Sequence, residues 1–411
     1  MSFWNTIKMG REQSGRMLSG AVKLMIILTT WDLGYASTNY VWTNSPYEGA
    51  PYNAWTNAAH VLQTAVDAAS AGDTVLVTNG LYNTGGRVTP GYALTNRVCI
   101  TNAIMLRSVN GPAVTFIKGQ EAVGGGHGNG AVRCVYLNSN ASLIGFTLTN
   151  GYNMTSGDNY YDKGGGGIML FAGTTVSNCT FSRNYGYSRA GGALFYSGGT
   201  ANNCIFDGNV ANRGGAAELY TGGTMNNCIL SNNVAITSFG GGVRFVGAGT
   251  LNNCLIVSNS AVGGGGVSFE SGGTIKSCTL FGNMATSRGG GILFYNGCGV
   301  LNNCIIWGNV HDSSSNIYME AGATGNVNYT CSGPAQLNLG LGNIGSDPQF
   351  VGLAIGNYRL AANSSCVNTG TNESWMINAV DLDDRMRVRY GTVDMGCYET
   401  IYEGSIYRFG L

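Results

Sequence analysis

The chain has 411 residues, balances 21 Lys+Arg against 21 Asp+Glu, and contains 66 Gly with only 10% charged residues. Zero net charge excludes a polybasic nucleic-acid surface or an acidic tail, and charge this sparse excludes a coiled coil, whose outer faces need Glu and Lys. With 44% hydrophobic residues the chain can bury a core, 6 Pro without period-three glycine exclude collagen, and 44 Asn make amides the main polar chemistry.

Residues 1–37 place Lys8, Arg11, Arg16 and Lys23 ahead of the apolar run Leu24 to Leu28 and the small-residue stretch Gly34-Tyr35-Ala36. That pattern predicts an export signal, with a disordered start as the alternative. The apolar run is too short to cross a bilayer and no later stretch approaches that length, so no transmembrane helix is expected. Asn57 to Ala71 is the one convincing amphipathic helix, with Val61, Leu62, Ala65, Val66 and Ala69 on one face. Gly72-Asp73 ends it, and a strand over Thr74 to Val77 follows.

An Asn-Cys tag then recurs. Cys179, Cys204, Cys228, Cys254, Cys278 and Cys304 are 25, 24, 26, 24 and 26 residues apart, and five residues after each stands Asn184, Asn209, Asn233, Asn259, Asn283 or Asn309. Two residues after each Cys is a large apolar residue. Between tags lie short period-2 segments separated by Gly and Asn, with no run long enough for a helix of 3.6-residue period. One unit therefore makes one turn of a solenoid with three short strands, and successive coils stack roughly 4.8 Å apart in parallel pairing. Like residues then form files. The inward files are Ile168, Ala193, Ala217, Val243, Val267 and Ile292; Leu170, Phe195, Leu219, Phe245, Phe269 and Phe294; and the cysteines. Stacked thiols with parallel Cβ vectors suit a disulfide poorly, so a reduced ladder is expected. The Asn file predicts amides bonded from coil to coil.

Catalytic constellations are sought in the same bookkeeping. Asp207 has no second acid in its file. Glu218 is followed one coil later by Arg244, read as an exposed ion pair worth under ~1 kcal/mol. Asp158, Asp162 and Lys163 lie in an insertion, Gly151 to Lys163, which reads as a solvated loop with calcium or substrate binding as the alternative. His60, His127 and His311 have no metal-binding spacing. No catalytic residue, metal or other cofactor is therefore assigned. One residue beyond the inward Phe file, facing out by period 2, stand Phe171, Tyr196, Tyr220, Val246, Glu270 and Tyr295. The rings at Phe171, Tyr196, Tyr220 and Tyr295 are the candidate ligand-binding residues, because flat sugar faces pack on aromatic rings; a self-stabilising aromatic ladder is the alternative. Outside the ladder, Cys366 and Cys397 are the preferred disulfide if the protein is exported, since both fall in a closing segment expected to fold back on the last coil.

Ala65-Val66-Asp67-Ala68-Ala69, Gly72-Asp73-Thr74-Val75 and Gly80-Leu81-Tyr82 resemble the entry pattern of secreted right-handed parallel β-helix proteins of the pectin-lyase-like superfamily. Phe181 to Asn184 and Phe206 to Asn209, with the Gly-Gly-aliphatic corners, are similar to repeats of bacterial polymorphic outer-membrane proteins. Asp347-Pro348-Gln349-Phe350, Tyr358-Arg359-Leu360 and Val393-Asp394-Met395-Gly396 look like the end of exported bacterial β-helix proteins. Ser365, Asn368 and Asp384 depart from that pattern. No barrel-forming segment follows them. The resemblance implies an all-β, right-handed parallel β-helix of about 10 to 12 coils with a capping helix and a closing segment. Residues 38–164 would hold the cap and early coils, 165–345 the regular repeats and 346–411 the closing segment. It implies a secreted or cell-surface protein of adhesive or carbohydrate-binding function, with a polysaccharide or cell-surface glycan as partner and no nucleic acid. A polysaccharide lyase or glycoside hydrolase is the alternative.

Overall fold

A computed structural model describes residues 36–138, 140–311, 316–333, 339–389 and 391–401. The expected export signal lies outside them, apart from its last residues.

The described residues wind into a parallel β-helix. A first sheet of 11 strands runs from Thr38–Val41 to Thr324–Asn328, a second of 10 from Gly80–Tyr82 to Cys331–Ser332, and a third of 10 from Arg87–Val88 to Ile317–Met319. A fourth, of 5 short strands, runs from Tyr185–Gly186 to Met284–Arg288 along the corner between the second and third. Apart from the edge hairpin of Arg87–Val88 with Thr95–Ile100, the strands of these sheets pair in parallel. The register is the one the tags predict: Ile168 pairs with Ala193, Phe181 with Phe206 and Leu219 with Phe245.

The corners explain the tag. The residue before each Cys turns the chain with positive φ: Asn178 (49°), Asn203 (53°), Asn227 (52°), Asn253 (59°), Ser277 (49°) and Asn303 (56°). Asn tolerates this left-handed region because its short amide bonds locally. At the corner before the third sheet, a Cβ on Gly191 would lie 2.6 Å from the Gly215 carbonyl oxygen of the next coil, so only glycine lets the coils approach. Inside, Val176, Ala201, Met225, Leu251, Ile275 and Leu301 form the inward file of the first sheet, each at most 1% exposed. Phe245, Phe269 and Phe294 stack with centroids 5.0 and 4.9 Å apart. Each such ring adds roughly 1.5–3 kcal/mol by leaving water.

The Asn file is a continuous buried ladder. Asn184, Asn209, Asn233, Asn259 and Asn283 each donate Nδ2 to the Oδ1 of the Asn one coil on, at 2.8–3.0 Å. That same oxygen also accepts the donor's own backbone N–H. The ladder ends when Asn309 donates to Asn316 Oδ1 at 2.9 Å. All 12 cysteines are free thiols. Burial pushes Cys179 up to about 12.

The helix is shorter than expected, Leu62–Ala68, preceded by a 3-10 turn at Trp55–Asn57. Ala59 is instead extended and bridges Val41, which removes the first predicted turn. Leu62, Ala65 and Val66 face the core, and Gln63 clasps the Cys99 backbone through both its N–H and its carbonyl.

The closing segment does not stop at the last coil. It runs back along the flank as a strap: Gly396 N–H bonds Asn303 O, Cys397 N–H bonds Thr279 Oγ1, Arg387 bonds Asn253 Oδ1, and Val380 O accepts from Asn253 and Asn227. This separates the expected disulfide partners. Cys397 packs with Leu255 and Val257, whereas Cys366 sits beside Cys331 among Ile305, Leu360 and Met395. The Cys331 thiol is hydrogen-bonded to that of Cys366, which together with burial raises it above the ordinary thiol range.

Candidate functional site

The outward face of the third sheet carries the predicted ring file, and the insertion covers part of it. Arg133, fully buried, fixes the insertion by donating to the carbonyls of Gly164 (2.8 Å), Gly165 (3.0 Å) and Tyr161. Burial pushes its guanidinium down to about 10. Asp162 is a staple rather than a solvated or calcium-binding acid: its carboxylate accepts the backbone N–H groups of Ala93, Leu94 and Asp158 at 2.9–3.0 Å. Asp158 accepts from the N–H groups of Tyr160 and Tyr161. The insertion therefore presents two rings back onto the sheet.

Tyr160 lies 5.3 Å from Tyr196 and 4.6 Å from Tyr220, while Tyr196 and Tyr220 stack at 5.6 Å and 16°. Phe171 departs from the expectation of an exposed ring. It is 8% exposed, wedged between Tyr136 and Tyr161, and serves as the floor of the group. Tyr196 and Tyr220 are half-buried. Tyr295, on the coil that follows the break at Val246 and Glu270, pairs instead with Phe239 at 4.6 Å. Burial and a hydrogen bond with Tyr220 raise the Tyr160 hydroxyl to about 12.

Beside the rings runs a row of charges that the sequence presents as one exposed pair. Glu218 is completely buried, and its two oxygens accept from Arg189 at 2.6 Å and Arg244 at 2.9 Å. Arg244 also reaches Glu270. Arg189 stacks 4.5 Å over Tyr160 and 5.8 Å from Tyr220. Burial disfavours its charge, but Glu218 more than offsets that and Arg189 titrates above its ordinary range. Pairing on this scale makes the row costly to break from one side, unlike an exposed pair. Arg244 Nε and Ser268 Oγ, one coil apart in the same file, are buried and have no protein partner.

Arg189 and Phe239 lie outside the files that the repeat defines, yet a signal marks them. Four residues before the inward file of the third sheet stand Gly164, Arg189, Arg213, Phe239, Gly263 and Arg288, a fixed offset that places four side chains along one rim. Of the other candidates, Asp207 accepts from Ser231 and Asn232, and His60 bonds Ser45 O and Glu48. Among the described residues no group of three His, Cys, Asp or Glu is arranged to hold a metal ion, and no helix is long and apolar enough to cross a membrane.

Residues 172–332 match the family model described as the right handed beta helix region. The fold is a right-handed parallel β-helix. Among solved structures, a crystal structure of pectate lyase Pel9A superposes with a TM-score of 0.53 at 16% identity, covering 89% of this chain and 97% of that one. The A-module of mannuronan C-5 epimerase AlgE4 from Azotobacter vinelandii gives a TM-score of 0.41 at 14% identity over 74% of this chain and 89% of the module. No curated protein sequence matches.

Proposed function

We propose that this chain is an exported, non-catalytic β-helix protein that binds a polysaccharide or cell-surface glycan across the outward face of its third sheet. The observation that carries this reading is the half-buried ring pair Tyr196 and Tyr220 lying against the Arg189–Glu218–Arg244 row. Rings supply flat apolar contact for a sugar face. Phe171 supports the rings from below, and Tyr295 with Phe239 forms a second contact point further along. A non-catalytic role is supported by the state of the central carboxylate: both oxygens of Glu218 are occupied by arginines, which leaves it unsuited to accept a proton from substrate. The pectate lyase that shares this fold acts, by name, on a polysaccharide, which is compatible with a glycan ligand.

The test is affinity electrophoresis through gels containing pectin, alginate or host glycans. Retardation of the native protein on at least one of them, lost in the Tyr196→Ala/Tyr220→Ala double variant with unchanged circular dichroism, is expected. Unaltered retardation removes the platform. Release of unsaturated or reducing ends from any of these polymers removes the non-catalytic reading.

A further inference from the structure

A second aromatic site lies at the other end of the molecule, where the first sheet begins. The strands Thr38–Val41, Thr74–Val77 and Met105–Ser108 stack in register, Val41 on Val77 on Ser108. The backbone ladder continues one step into the corner, with Thr78 N–H bonded to Val41 O and Val109 N–H to Val77 O. Trp42, Thr78 and Val109 are thereby brought into one file, and Asn79 and Asn110 into the next. Trp55, on the 3-10 turn, closes the opposite wall and is braced edge-on by Tyr40 at 4.4 Å. These six residues line an open groove of about 540 Å³, within the usual range for a small-ligand site.

The chemistry of the lining selects a ligand class. None of the six lining side chains is charged. Two half-buried indoles offer flat apolar faces. Asn110 donates Nδ2 to Asn79 Oδ1 at 2.8 Å, which orients both exposed amides. That bond leaves the Asn79 NH₂ as a donor and the Asn110 carbonyl as an acceptor on adjacent coils. A donor and an acceptor on adjacent coils can serve different hydroxyls of one sugar residue, each of which can both give and take a hydrogen bond. The absence of any lining cation makes an anionic uronate a poor occupant, because its carboxylate would be desolvated without a countercharge. We propose that the Trp42–Trp55 corner is a binding site for one or two residues of a neutral glycan, separate from the face of the third sheet.

The test is titration of intrinsic tryptophan fluorescence with cellohexaose, xylohexaose, mannohexaose and maltohexaose, with hexagalacturonate as the anionic comparison. Saturable binding of at least one neutral oligomer is expected, with hexagalacturonate at least tenfold weaker. Trp42→Ala should weaken binding at least tenfold. Asn79→Ala/Asn110→Ala, which alters only exposed side chains, should do the same with unchanged thermal unfolding. Tyr196→Ala/Tyr220→Ala should leave this titration unaltered even if it abolishes gel retardation, so the two sites fail or survive separately. No saturable change with any neutral hexamer at millimolar concentration overturns the site. Full affinity in the Asn double variant, or equal affinity for hexagalacturonate, also overturns it.

Discussion

Replacing Asn233 by Ala should be among the most damaging single changes in the regular coils, and the geometry says by how much. The Asn233 side chain donates to Phe206 O (2.9 Å) and Asn259 Oδ1 (2.8 Å), and it accepts from Asn209 Nδ2 (2.9 Å) and Asn209 N–H (3.0 Å). After truncation, Asn209 Nδ2 retains Phe181 O, and Asn259 Oδ1 retains the Asn233 backbone N–H. The Asn209 N–H loses its acceptor in a fully buried setting. One orphaned buried donor costs about 1–3 kcal/mol and each of the three further lost bonds about 0.5–1.5 kcal/mol, so a total of about 2.5–7.5 kcal/mol is expected. Asn226 is the control. It also gives one amide bond, to Asn202 (2.9 Å), and takes one, from Asn252 (2.9 Å), but on the half-buried outer face of the first sheet. Water can replace those bonds, so Asn226→Ala should cost under ~1 kcal/mol. Urea unfolding followed by circular dichroism measures both. Equal losses for the two variants, or less than ~1 kcal/mol for Asn233→Ala, would show that burial of the amide file does not set its energy.

Glu218→Ala leaves Arg189 without a carboxylate and Arg244 with Glu270 alone, and should cost about 3–5 kcal/mol by thermal or urea unfolding, while replacing all three by well-packed apolar residues should cost far less. Glu399 is raised to about 8 by burial, with Asp394 and Asp381 adding to the effect and Arg387 opposing it. Because its folded value lies above its unfolded value near 4.5, the protonated form favours the folded strap, and that contribution is lost as pH rises from about 4.5 to 8. Protection factors around Asp381 to Glu399, which remove the intrinsic pH dependence of amide exchange, should therefore fall across that window, and Glu399→Gln should flatten their dependence. Mild oxidation should link Cys331 to Cys366 and leave Cys397 reduced, as read by peptide mapping without reduction; a Cys366–Cys397 peptide would contradict the strap's path.

The winding is legible because its period is written covalently: each Asn-Cys tag returns to the same corner, so like residues fall into files. The buried amide ladder followed from the same alignment. What escaped was whatever lies over the files. Tyr160 and Tyr161 come from an insertion outside the repeat frame, so Phe171 read as exposed although it is covered, and the Glu218–Arg244 pair read as solvated although Arg189 completes it. Trp42 and Trp55 precede the first tag and share no offset with it. The helix is shorter than its amphipathic pattern because Ala59, a good helix former, is taken by a bridge to Val41 that local propensity does not encode.

Stacked-repeat proteins usually gain or lose units freely, since each touches only its neighbours. The strap removes that freedom here. Its anchors fall on Asn227, Asn253, Thr279 and Asn303, four rungs whose spacing it must span with a fixed length of chain. Duplicating or deleting a single rung between them would carry every later anchor out of reach, so the tail acts as a ruler against which the number of turns is counted.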